Sequence, residues 1–513
     1  MKKIFLLLIT AAAFTSCSEE FITSDLQNIV TDETIAELSA ESPEALLNIA
    51  SSFDAGTINN LRTYGVGGTT GHNDYGQKSI DLMMDIMSND METLESNTGW
   101  YMTLYNYTGR VQNLNATSVI WNYYYEIIKG ANQTIGLIGN VPEESLTDDL
   151  KYVFSRAKAI RGYAYLYLIQ IYQKGQPALT DLGVPIIDPT ADVLNGPGFG
   201  RLTVQDVYNQ IETDLTEAFD GLDGYARPDK TAVNQEVVAA LLAKFYLVWG
   251  TIDNSKYQKA IDNAIIAQGA GSLSGSDLLD GFQFIYNPEV IWGADLNVDT
   301  NSYYASFISQ MQSFSAQNQS NYGTTLGYPG QLAHHRTIDP RLYAEIKSTD
   351  IRSNWFGPDN GYIKAGQADQ FYNYKYYDNT DFEADYIYMR VAEYYLIEAE
   401  AKAEMGDDAG AAQALYNLMT TRDSSYTLST NTGQDLIDEI RLNRRIELWG
   451  EGFGLLDMKR WGVGLTRDYV GSTHPQNSGF FNLPAGSNSF TFQLPEDEIT
   501  LNDAITTADQ NPN

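Results

Sequence analysis

The sequence predicts an all-α fold in which tetratricopeptide-like helical hairpins form a scaffold, and long irregular, partly stranded insertions form a second lobe. Three observations carry this. Apolar and small residues recur at helical spacing in paired segments, Gly and Asp sit in the short turns between partners, and Gly, Asn, Ser and Tyr crowd the aperiodic stretches between pairs.

The chain opens with Lys2 and Lys3, an apolar run from Ile4 to Phe14, and the small residues Thr15 and Ser16 before Cys17, the only cysteine in 513 residues. This is the pattern of a bacterial lipoprotein signal over residues 1–16, with cleavage before Cys17 and acylation there. An ordinary secretory signal with a stray thiol is the other reading. Ser18, Glu19 and Glu20 open an acidic tether expected to reach about residue 42, and residues 43–513 form the globular part. A single cysteine allows no internal disulfide, so the core must carry the stability. Beyond residue 16 no stretch is long and apolar enough to span a bilayer as a helix.

The first expected helix runs from about Ile120 to Ile138 and opens WNYYYEIIKGAN. The next, about Leu150 to Tyr172, carries Ala157, Ile160, Ala164 and Leu168 on one face. Its partner is delayed to about Thr203 to Phe219 by GQPALTDLGVPIIDPTADVLNGPGFGR, whose Gly and Pro content marks a loop. Ala239, Ala240, Ala243 and Tyr246 lead through Gly250 to Tyr257, Ala260 and Ala264. The clearest pair begins at Ile387: Ala392, Leu396, Ala399 and Ala403 line one helix, Gly406 and Asp407 turn the chain, and Ala411, Ala414, Leu415 and Leu418 line the next. Small residues on facing stripes let helices pack closely. The scaffold is thus expected over about 120–270 and 386–462, with loop-rich insertions at 53–115, 270–385 and 462–513. Loops this long are functional or fold on their own.

Composition narrows function. The formal charge is −34, and loss of Lys2 and Lys3 leaves 30 basic against 66 acidic residues, or −36. Such a field repels nucleic acid and anionic surfaces.

The segment IRLNRRIELWGEGFGLLDMKRWG, from Ile440, resembles the helix of SusD/RagB-like nutrient-binding outer-membrane lipoproteins. Arg444, Arg445, Glu447, Leu448, Glu451, Gly452, Asp457, Arg460 and Trp461 carry the match. Other parts of that pattern occur in order: Trp121, Tyr125, Ala131 and Asn132; Arg161 and Tyr165; Glu289 to Trp292; Asp339, Pro340 and Arg341; and the closing QLPEDEITLNDAITTADQNPN. Asn443 stands where the family usually has a glutamate and Gly454 where it has a basic residue. The helix itself reads as structural. Glu447 and Glu451, at i and i+4, repel unless Arg441, Arg445 or Arg460 compensates. The resemblance implies a cell-surface lipoprotein, anchored in the outer membrane and facing outward, that binds an oligosaccharide and hands it to a SusC-like TonB-dependent transporter without covalent chemistry. A RagB-like peptide binder, a tetratricopeptide scaffold in envelope assembly and a glycoside hydrolase are the alternatives.

Catalytic motifs are missing. There is no Gly-x-Ser-x-Gly elbow, Cys17 is consumed by the anchor, and GVGGTTG and GPGFGR miss both the dinucleotide and the phosphate-loop spacing. His334 and His335 are adjacent and cannot share a helix face as a zinc pair. Asp295, Asn297, Asp299 and Asn301 imitate a calcium loop, but Thr300 and Ser306 replace its Gly and its bidentate Glu, so a polar loop is the better reading. No cofactor or metal is expected.

Sugar recognition needs flat aromatic platforms beside hydrogen-bonding groups. Tyr163, Tyr167 and Tyr246 lie at helical spacing and read as core. The loop candidates are Asp74 and Tyr75 in HNDYG, Asn97, Trp100 and Tyr101 in SNTGWY, Tyr303 and Tyr304 after Asn301, Tyr322 after AQNQSN, and Trp355 in SNWFGPDNGY. The resemblance places the ligand face in residues 53–115 and 295–335.

Overall fold

A computed structural model describes residues 42–93, 101–190, 196, 198–312, 327–329, 335–357, 371–380, 382–475 and 481–513. It opens with α1 (Pro43–Asn60), whose N-cap Ser42 accepts from the Ala45 amide, followed by α2 (Gln77–Ile86), β1 (Met91–Thr93) and the single turn α3 (Met102–Tyr105). Two long helices follow, α4 (Asn115–Gly139) and α5 (Asp148–Tyr172), then α6 (Val204–Gly221), α7 (Gln235–Gly250) and α8 (Tyr257–Gln268). The second lobe contains β2 (Val290–Ala294), α9 (Phe307–Met311), β3 (Arg336–Ile338), α10 (Pro340–Ala344), β4 (Phe356–Gly357), β5 (Tyr372–Asn373) and β6 (Tyr386–Arg390). The chain returns to helices with α11 (Val391–Glu404), α12 (Asp408–Met419), α13 (Gln434–Glu447) and α14 (Gly454–Trp461). It ends with β7 (Leu465–Thr466), β8 (Asn482–Leu483) and α15 (Glu496–Leu501).

The expected helix pairs pack together: α5 on α6, α7 on α8 and α11 on α12, while α4 packs on α5, α1 on α4 and α8 on α11. Ala164, Ala239, Ala240, Ala243, Ala260, Ala264, Ala392, Ala399 and Ala411 are all fully buried, so the small-residue stripes form the contact faces. Side chains start these helices by accepting orphan first-turn amides: Thr147 for α5, Asn234 for α7 and Asp407 for α12, with a Thr203–Asp206 capping box at α6. The mostly helical fold with a partly stranded lobe is therefore present.

The 53–115 stretch contains more helix than its sequence predicts. The C-terminal half of α1 lies in it, and so does α2. Every residue of α2 is buried, including Lys78, Asp81 and Asp85, so it lacks a solvent stripe. The strands are short. β1, β3, β5 and β4 form one antiparallel sheet in that order, and β2 pairs with β6 through a bulge at Trp292. Trp292 is fully buried and meets Tyr163 of α5 edge-on at 5.7 Å, joining lobe to scaffold. No helix among the described residues is long and apolar enough to cross a membrane.

Candidate functional site

The motif helix α13 ends in a buried charge cluster. Glu447 accepts from Arg422 (2.9 and 3.1 Å), Arg390 (3.1 Å) and Arg352 (3.3 Å), and Glu289 accepts from Arg422 (2.8 and 2.9 Å) and Arg390 (2.9 Å). Glu451 accepts from Arg390 (2.6 and 3.0 Å) and Lys375 (2.7 Å), while Asp350 pairs with Arg352 (2.7 Å). Four cations thus face four carboxylates. These guanidiniums hold Glu447 well below the usual carboxylate range and bring Glu451 to about 2, against the opposing effect of burial. The repulsion expected between Glu447 and Glu451 is relieved by Arg390, Arg422, Arg352 and Lys375 from other segments, not by Arg441, Arg445 or Arg460. Neutral Asn443 adapts to this, accepting from Arg352 Nη2 at 2.9 Å.

Gly454 admits no side chain. A Cβ there would lie 2.5 Å from the Ser88 Cβ, and its amide donates to Asp85 at 2.9 Å. Beside α14 lies a cleft of about 610 Å³ lined by Arg341, Arg441, Arg444, Arg445, Trp449 and Trp461 among others. Its guanidiniums are matched by Asp339, Glu404, Asp457 and Asp90, so the cleft carries no excess positive field.

The predicted ligand residues divide into three groups. Asn97, Trp100 and Tyr322 lie outside the described residues, as does Cys17, the expected lipidation site. Asp74, Tyr75, Tyr101 and Trp355 are buried and present no face to a ligand. Tyr101 donates to the Tyr75 hydroxyl at 2.9 Å, and Trp355 Nε1 donates to the Leu278 carbonyl at 2.8 Å with Lys375 over its ring. Asp74 accepts from the Gly67 and Thr69 amides (2.9 and 3.0 Å) and from the Thr69 hydroxyl (3.1 Å), with burial raising its pKa. It shapes the loop instead of touching a ligand. Tyr303 and Tyr304 reach solvent: Tyr303 is 52% exposed, and Tyr304 is half-buried.

Around Tyr304 the structure assembles aromatics that sequence reasoning missed. Tyr64, 36% exposed, meets the His72 ring edge-on at 6.5 Å, and His72 lies 5.9 Å from Tyr328 with its Nδ1 on the Tyr328 hydroxyl. Tyr328 lies 5.9 Å from Tyr304, which lies 5.6 Å from Phe382. Polar groups flank this row. Tyr64 donates to the Thr70 carbonyl at 2.6 Å, Gln310 donates to the His72 carbonyl at 3.4 Å, and Arg62 donates to the Asp295 carbonyl at 3.0 Å. Asp385 accepts from the Ile285 and Leu296 amides, both at 2.8 Å, fixing the turn that displays Tyr286, which is 70% exposed and stacked on Phe284 at 4.7 Å. Burial raises Asp385 to about 6. Glycine-rich surroundings, TYGVGG for Tyr64 and GYPG for Tyr328, were the available signal.

In the calcium-like loop, the Asn297 and Asn301 side chains accept from the loop's own backbone. Asn297 Oδ1 accepts from the Asp299 amide at 3.0 Å, Thr300 Oγ1 from the Asn297 amide at 2.9 Å, and Asn301 Oδ1 from the Tyr303 amide at 3.3 Å. These bonds turn the chain and present Tyr303.

Known proteins share parts of this sequence and most of this fold. The model of a family described as "SusD family" matches residues 288–513, and one described as "Starch-binding associating with outer membrane" matches residues 66–247. SusD-like protein P2 of Formosa agariphila is 24% identical, with 68% of this chain and 72% of that protein covered. A SusD-like carbohydrate binding protein from Bacteroides vulgatus superposes with a TM-score of 0.76 at 24% identity, covering 91% of this chain and 98% of its own. Surface glycan-binding protein A from Bacteroides fluxus gives 0.67 at 17% identity, covering 91% and 99%. The chain is SusD/RagB-like in sequence and in fold.

Proposed function

We propose that this chain is a surface lipoprotein of the outer membrane that binds an oligosaccharide through the Tyr64–His72–Tyr328–Tyr304 row, with the exposed Tyr303 next to Tyr304 and Tyr286 exposed on the same lobe, and delivers it to a TonB-dependent transporter. Tyr64, His72 and Tyr304 reach solvent along this row, with the buried Tyr328 joining them, and these rings beside hydrogen-bonding groups carry the reading, because a sugar offers an apolar C–H face and a belt of hydroxyls. The Bacteroides vulgatus and Bacteroides fluxus proteins are named for carbohydrate and glycan binding, and one matching family for starch binding at the outer membrane, which supports the same class of ligand here. Cys17 at the end of the apolar leader supports the lipid anchor, and the acidic run after it supports outward display. The aromatic rings and hydrogen-bonding groups of the row suit capture of a sugar.

The test is a panel of oligosaccharides titrated calorimetrically into the purified full-length protein. Tyr64→Ala, Tyr303→Ala and Tyr286→Ala are each expected to weaken the best ligand by about 3- to 10-fold, from aromatic contacts of roughly 0.5–1.5 kcal/mol. Unchanged affinity in all three would refute the assignment. For the partner, co-purification of a transporter that survives in the wild type and drops with Cys17→Ser is the expected result.

A further inference from the structure

We infer that Glu92, Asp339 and His474 form a zinc site at the base of the irregular lobe. The three come from separate segments: Glu92 from β1, Asp339 from the N-cap of α10, and His474 from the stretch between β7 and β8. All three are buried, at 1%, 1% and 2% exposure. His474 Nε2 lies 3.2 Å from Asp339 Oδ2 and 3.6 Å from Glu92 Oε1, and the three ligand atoms lie within 4.8 Å of one another.

These are the spacings of the edges of a zinc coordination shell. Zinc–oxygen and zinc–nitrogen bonds of about 2.0–2.2 Å at tetrahedral angles put neighbouring ligands about 3.3–3.6 Å apart. Even with the carboxylates at their widest, 4.8 Å, a point about 2.4 Å from all three atoms exists, so a shift of a few tenths of an ångström closes the site. One imidazole with two carboxylates suits zinc; calcium and magnesium call for six or more oxygens.

The surroundings supply the outer contacts such a site uses. The Tyr105 hydroxyl sits 2.5 Å from His474 Nδ1, where it can accept a hydrogen bond from Nδ1–H and so hold the tautomer whose Nε2 lone pair faces the carboxylates. Thr473 and Thr337 donate to Glu92 at 2.6 and 3.0 Å; Tyr469 donates to Asp339 at 3.0 Å, and Arg341 holds Asp339 from outside at 3.1–3.2 Å. His474 Nε2 faces both Asp339, at 3.2 Å, and Glu92, at 3.6 Å, so two carboxylates share one buried pocket. A divalent cation neutralises both and ties the three segments together.

The full-length protein, free of any histidine tag, is stripped with a chelator and titrated with Zn²⁺ against a chromophoric competitor. One zinc per chain and a raised Tm are expected. Glu92→Gln and His474→Gln, checked for folding by circular dichroism, are expected to bind at least tenfold more weakly, with Glu126→Gln unchanged. No stoichiometric uptake by the wild type, or uptake that both folded variants keep, would overturn the inference. Should a variant fail to fold, zinc-edge X-ray absorption of the wild type decides: one imidazole with oxygen donors supports the site, and none or two imidazoles overturns it.

Discussion

Glu447→Gln is the sharpest probe of how scaffold and lobe are joined. The wild-type carboxylate accepts four charge-assisted bonds of 2.9–3.3 Å from Arg422, Arg390 and Arg352, all in a site that solvent does not reach. The amide keeps the shape, removes the charge and points an N–H₂ at a guanidinium, leaving one positive charge unmatched. Breaking a buried pair from one side costs about 3–5 kcal/mol. At about 2.1 cal/mol/K per residue over the chain from residue 42, the unfolding entropy is about 1 kcal/mol/K, so Tm should fall about 3–5 °C. Calorimetry beside Glu126→Gln, whose partner Lys129 is 60% exposed, supplies the control, with an expected effect under about 0.5 kcal/mol. Glu447 and Glu451 also have folded pKa values below their unfolded value near 4.5. The stability they contribute is therefore present above that pH and is lost as pH falls toward 2. Glu447→Gln should show a shallower acid limb between pH 5 and 2. Equal Tm losses in the two variants, or identical acid limbs, would refute the reasoning.

Other substitutions separate neighbouring roles. Burial brings Lys459 to about 7, so the folded state releases its proton where the unfolded chain still holds it, and stability should rise from pH 7 toward 10.5. Lys459→Met should flatten that rise in denaturant midpoints. Gly454→Ala should cost about 1–3 kcal/mol because the new Cβ meets Ser88, a loss read as a lower urea midpoint at unchanged slope. Trp355→Ala should cost about 3–5 kcal/mol in the same assay, whereas Tyr303→Ala should stay within about 0.5 kcal/mol and lose glycan affinity.

The helical half of the molecule was legible because its signal is local. Ala157 to Leu168 and Ala392 to Leu418 repeat at helical spacing, and their hairpins close between near neighbours in the chain. α2 escaped for a physical reason: Lys78 and Asp81 pair with each other inside the protein at 3.1 Å, and charged residues at buried positions erase the solvent stripe that periodicity detects. The site was legible only in part. Tyr303 and Trp355 both sit among Asn, Ser and Gly, yet one is half exposed and the other sealed. What seals Trp355 is a carbonyl at Leu278 and the cation of Lys375, groups that no window around it contains.

The same distinction explains why the strongest sequence resemblance says least about the ligand. Arg444 to Trp461 include Glu447 and Glu451, whose partners Arg352, Lys375, Arg390 and Arg422 are scattered from the segment after α10 to the turn after α12. A network so balanced and so buried constrains each member by all the others, because one uncompensated charge there costs several kcal/mol. Such a motif therefore marks the junction of lobe and scaffold. The exposed tyrosines carry no comparable constraint. Tyr64, Tyr286 and Tyr303 are exposed and contribute little to folding, which leaves their identity and spacing free to follow the ligand proposed for them.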